Sequence, residues 1–172
     1  MKTGQAMDDR LSKIFAAVVP GEEQILARVV ASSDPDQVGK TTRGPEFYQL
    51  YLVNESNYDI TKFRLRAGGF AHVDEDPFDL GCSLIEFGAL KRNAASSLEK
   101  LHAGLLDFVL TYELQLTFSD GGQLEAWFDI GKAYALREEI FHFCSVLNQK
   151  AYRFSLTPKN SLPDNESVGA TQ

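Results

Sequence analysis

DFVLTYELQLTFSDGGQLEAWFDI, residues 107 to 130, decides the fold class. Every even position from 108 to 118 is apolar (Phe108, Leu110, Tyr112, Leu114, Leu116, Phe118), while Val109, Thr111, Glu113, Gln115 and Thr117 fill the odd ones. An alternation of period two is a strand with one face on a core and the other in water. Ser119-Asp120-Gly121-Gly122 supplies residues that tolerate positive φ, and then Leu124, Ala126, Phe128 and Ile130 resume the alternation against Gln123, Glu125, Trp127 and Asp129. The stretch predicts a β-hairpin.

Working outward, the upstream segments repeat this character. Phe47 to Val53 is rich in Tyr, Leu and Val and stops at the polar cluster Asn54-Glu55-Ser56-Asn57; Ile60 to Arg66 runs to Gly68-Gly69. Cys82 to Leu90 is a further strand candidate that Gly88 weakens. Glu23 to Ala31 fits both periods, and Val29-Val30 tips it to strand. Downstream the period changes. Ala133, Leu136, Ile140, Phe143 and Leu147 fall on one helical stripe, which predicts an amphipathic helix over Lys132 to Leu147, and Ala151 to Leu156 reads as a last strand. At the other end Leu11, Ile14, Phe15 and Val18 predict a short amphipathic helix over Asp8 to Val18, closed by Pro20-Gly21.

The fold class expected from these elements is mainly β (α+β): an antiparallel β-sandwich or curved sheet, with an N-terminal and a C-terminal helix packed on it. The strand spacing has the general look of an immunoglobulin-like sandwich, although the antibody order of Cys, Trp, Cys is missing. The domain reading is a flexible leader with a short helix over 1–20, a single β-rich domain over 21–156, and a disordered polar tail over 157–172.

A chain of 172 residues with 44% hydrophobic and 24% charged residues is ordinary for a protein that builds its own core. Its net charge of −7 argues against attraction to nucleic acid or to an anionic membrane. Asp8-Asp9 precedes the first apolar run where a signal peptide needs positive charge, and no run is long enough to span a bilayer. Cys82 and Cys144 have no Cys-x-x-Cys spacing and read as reduced thiols. The expected location is the cytoplasm.

Gly39-Lys40-Thr41 ends like a P-loop, but the first Gly of that motif falls on Asp34, and Pro35 beside it removes a backbone donor. Nucleotide binding is therefore not expected. No GxSxG elbow, HExxH or Cys/His zinc spacing occurs, so no motif declares an enzyme.

Three constellations remain. His72, Asp74 and Asp76, in the acidic stretch before Asp79, suit a hard divalent cation, calcium or magnesium, although the EF-hand order is absent and a solvated loop is the simpler reading. Lys62, Arg64 and Arg66 alternate along one strand, forming a ridge that suits a carboxylate or phosphate ligand. The simpler account is pairing with acids on neighbouring strands, such as Glu113 or Glu125. Val109 and Trp127 share the wet face of the hairpin as a candidate interaction surface.

Two functions follow. The first is a non-enzymatic binding or interaction module of β-sandwich type, with a protein partner or with self-association through a strand edge or the Trp127 face, and without a cofactor. The second is a divalent-metal-binding protein or metal-dependent hydrolase, with Arg64 and Arg66 orienting an anionic substrate.

Overall fold

The computed structural model describes residues 9–21, 23–26, 42–73, 76–107, 109–131 and 141–159. Twelve strands fall in chain order: β1 (Ile14–Pro20), β2 (Glu23–Leu26), β3 (Thr42–Pro45), β4 (Phe47–Asn54), β5 (Ile60–Val73), β6 (Asp76–Phe87), β7 (Ala94–His102), β8 (Val109–Phe118), β9 (Gln123–Ile130), β10 (His142–Cys144), β11 (Gln149–Ser155) and β12 (Thr157–Pro158). They form two five-stranded sheets, ordered β10-β11-β1-β4-β7 and β12-β9-β8-β5-β6, and a small β2-β3 pair. All the pairings are antiparallel.

The predicted hairpin is β8-β9, in register from Leu110↔Ile130 to Thr117↔Gln123. Gly121 adopts a φ of 84° in its turn, a conformation that needs glycine. Leu110, Tyr112, Leu114, Leu116 and Phe118 are buried with Leu124, Ala126, Phe128 and Ile130. They meet Ala16, Val18, Leu50 and Leu52 of the first sheet in one core, so the two sheets pack face to face as a sandwich.

The predicted terminal helices are corrected. Residues Ile14 to Val19 are buried without alternation, and β1 runs between β4 and β11 as an interior strand of the first sheet. Ala16 and Val18 enter the core between the sheets, whereas Phe15, Ala17 and Val19 join a second cluster with Val53, Cys144 and Ala151. A strand covered on both faces is apolar throughout, which is why its period misleads. Among the described residues of the predicted N-terminal helix, only Asp9 to Leu11 is helical. At the other end, His142 to Cys144 is strand β10, joined to β11 by a turn in which Asn148 takes a φ of 51°. The predicted helix therefore fails over its last part, while residues 132–140 lie outside the described residues. Besides Asp9 to Leu11, the helical structure among the described residues is the 3-10 turn Ala103–Asp107 and a 3-10 position at Lys159. No helix among them is long and apolar enough to cross a membrane.

Two bulges set which side chains face the core. In β5 the register slips between Ile60 and Lys62, so Ile60 and Phe63 are both buried, and Lys62, Arg64 and Arg66 all emerge from the other face. In β7, Glu99 pairs with Leu50 and Ser97 with Tyr51, leaving Leu98 as the extra residue. Glu99 thereby shares the inward phase of Leu101.

Candidate functional site

The outer face of the second sheet collects most of the side chains singled out in the sequence. Register places them in transverse rows. One row runs Glu125, Gln115, Arg64, Glu86 across β9, β8, β5 and β6; the next runs Trp127, Glu113, Arg66, Leu84. Lys62 faces Thr117, which in turn faces Gln123. Rows on one face are about 7 Å apart along the strand, and neighbouring strands are about 4.8 Å apart.

Arg64 forms an ion pair with Glu86, its Nε 2.6 Å from Oε1, and both side chains are exposed. Arg66 donates from Nε to Cys82 Sγ at 2.8 Å. This contact with Cys82, and then the field of Glu113, raises the pKa of the Arg66 guanidinium. Lys159 follows β12, and its Nζ stands 3.7 Å from both Glu113 Oε2 and Glu125 Oε2. Gln115 donates from Nε2 to Glu125 Oε1 at 3.3 Å. Lys62 has no ion pair among the described residues.

These side chains border two shallow cavities. One of about 170 Å³ is lined by Lys62, Arg64, Gln115, Thr117, Gln123 and Glu125 together with the backbone neighbours between them. The other, of about 380 Å³, is lined by Arg64, Arg66, Leu84, Glu113, Gln115 and Lys159. Arg64 and Gln115 border both. The larger one is within the size range of small-molecule sites, but its walls are far more polar than usual.

No known protein family matches the sequence, and no curated protein is significantly similar to it. Function must therefore be argued from this chain's own side chains.

Two of the candidate metal ligands sit on one hairpin. β5 and β6 form one hairpin in which His72 lies across from Pro77 and Val73 across from Asp76, so His72 and Asp76 are near the hairpin's tip; Asp74 lies outside the described residues. No cluster of three or more His, Cys, Asp or Glu occurs among the described residues. Lys40 also lies outside them. Trp127 is half-buried across from Glu113, whereas Val109 is four residues further along β8, about 13 Å away. Thr111, Glu113 and Asp129 therefore separate the two apolar side chains. The indole Nε1 of Trp127 is buried and has no hydrogen-bond partner among the described residues. His102 is engaged locally: its Nδ1 accepts the Gly104 N–H at 3.0 Å, and its ring meets Phe47 edge-on at 5.3 Å.

Sequence reasoning missed Lys159, Glu86 and Leu84. Lys159 lay in the segment read as tail, and nothing local to it announces that β12 pairs Thr157 with Trp127. Glu86 and Leu84 sit in a strand recognised only from Cys82 onward, and their adjacency to Arg64 and Arg66 depends on the β5-β6 register.

Proposed function

We propose that the protein is a non-enzymatic binding module of β-sandwich type, and that it binds a small polar ligand on the outer face of its second sheet. The observation that carries this reading is the pair of adjoining cavities that share Arg64 and Gln115. A sheet face offering guanidinium, ammonium, carboxylate and amide groups within one strand repeat of each other supplies donors and acceptors on a rigid frame. Its side chains stand on paired strands rather than on loops, so little ordering is required on binding.

The test is amide chemical-shift mapping of the full chain against a panel of acidic, neutral and basic small molecules. A ligand that shifts residues 62–66, 113–117 and 123–125 together supports the reading. Binding that maps to another surface, or a panel that shifts no part of this face, sinks it.

A second reading, self-association, is favoured by strand β6. It is the edge of its sheet, it has one strand neighbour among the described residues, and it exposes Leu84 and Ile85 at 64% and 38%. An edge of that kind offers unpaired backbone groups to a second copy. Light scattering across a concentration series, repeated with Ile85→Lys, tests it: a dimer that the substitution dissolves is the expected result, and a monomer at every concentration rejects it.

A further inference from the structure

The larger cavity is lined by three cations, Arg64, Arg66 and Lys159, against one lining carboxylate, Glu113, while Glu86 and Glu125 pair with Arg64 and Lys159 from outside the lining. The lining alone is opposite in sign to the net charge of −7 carried by the chain. The two guanidinium groups are also held in a particular way. Arg64 reaches Glu86 and Arg66 reaches Cys82 through Nε. Neither makes a hydrogen bond through its Nη nitrogens among the described residues, which leaves those donors to a ligand. Lys159 stands at 3.7 Å from each of two carboxylates, longer than a charge-assisted hydrogen bond.

We propose that this cavity binds a small dianion, a phosphate monoester or a dicarboxylate. The ligand's charged oxygens meet the Nη pairs of Arg64 and Arg66, whose Cα atoms are about 7 Å apart on one strand. Lys159 closes the far side, and Leu84 offers an apolar wall to the carbon part of the ligand. Glu113 opposes the ligand. It lies across from Arg66 and close to Lys159, and it lowers the positive potential of the cavity. This proposal rests on the binding face argued above and adds the ligand class.

Trp127 is the one tryptophan of the chain and sits across from Glu113, so its fluorescence reports on the cavity. The full-length protein is titrated with inorganic phosphate, phenyl phosphate, succinate and the neutral sugar maltotriose, each at constant ionic strength, while amide shifts are followed in parallel. A saturable response to the phosphates, to succinate or to both is expected, and their relative affinity identifies which source of the dianion is preferred. Arg66→Gln weakens binding about fivefold or more, and Glu113→Gln strengthens it about fivefold, the effect of one exposed charge at contact distance. Salt weakens both. The gain in Glu113→Gln is a result that loss of a structural ion pair does not produce. If Glu113→Gln weakens binding, or if maltotriose shifts residues 62–66 and 113–117 and no dianion does, the ligand class is wrong and the binding face stands. If none of the four shifts this face, both proposals fall.

Discussion

Tyr112 of one sheet donates its hydroxyl hydrogen bond to Glu99 Oε1 of the other. The bond crosses the sandwich: Tyr112 is buried on β8 and stacks on Phe128 with ring centroids 4.9 Å apart, and Glu99 arrives from β7 in the inward phase that its bulge allows. Burial, and then the Glu99 carboxylate, push the Tyr112 phenol far above its ordinary value. Removing the hydroxyl with Tyr112→Phe keeps the ring packing and is expected to cost about 1.5–3 kcal/mol, the net value of a hydrogen bond to a charged group. Urea unfolding at neutral pH measures it.

The same residue makes an alkaline prediction. A group whose pKa is raised in the folded state contributes stability that is complete below its unfolded value, about 10 for tyrosine, and is lost as pH rises above it. Stability is therefore expected to fall above about pH 10. Tyr112→Phe flattens that fall; an equally steep decline in the variant would place the titrating group elsewhere.

Acid acts at the other end of the hairpin. Asp120 accepts the Gly122 N–H at 2.9 Å and an ion pair from Arg10 at 2.5 Å, and these two partners, in that order, lower its pKa. A depressed carboxylate contributes stability above its unfolded value of about 3.9, lost as pH falls through the lower folded value. Arg10 also lies 4.1 Å over the Tyr58 ring, so the ion pair pins the N-terminal turn to the β8-β9 hairpin. Asp120→Asn is expected to reduce the difference in unfolding midpoint between pH 6 and pH 3, read by circular dichroism.

Asn54 is buried completely, and its amide donates to the backbone carbonyls of Tyr58, Leu90 and Lys91 while its oxygen accepts from the Ser56 N–H and hydroxyl. Asn54→Ala leaves several of these groups without a partner, and a loss of about 3 kcal/mol is expected. Thermal and urea unfolding should agree on it. A change under about 0.5 kcal/mol would mean that water replaces the amide.

Adjacent positions on β5 should behave in opposite ways. Leu65 is fully buried against Leu114, so Leu65→Ala is expected to cost about 2–5 kcal/mol through lost burial and a cavity. Arg64 is exposed, and its pair with Glu86 is worth about 0–1 kcal/mol, so Arg64→Gln should leave the fold intact while removing one fork from the larger cavity. Parallel unfolding curves of the two variants check the contrast.

Legibility in the sequence followed exposure. β8 and β9 alternate because one face is wet, so their type, turn and inward residues could all be read locally. β1 could not be read in this way, because β4 and β11 flank it and both of its faces are covered. β7 was missed for a different reason. Its sequence, AASSLEKLH, has no β-branched residue, and the bulge at Leu98 spaces its buried leucines three apart, which mimics a helix.

The site divides along the same line. Lys62, Arg64 and Arg66 were identifiable as a ridge because strand period alone puts them on one face. Their partners were not, because Glu86, Leu84 and Lys159 come from other strands and meet the ridge through register. By itself, then, the sequence determined the β class, the hairpin and the identity of the cations. Tertiary structure alone decided that β1 is a strand, that Glu99 reaches Tyr112, and that three cations border one cavity. Periodicity reports the contrast between a dry and a wet face within one segment, whereas pairing between distant segments is selected by the burial and hydrogen bonding of the whole fold.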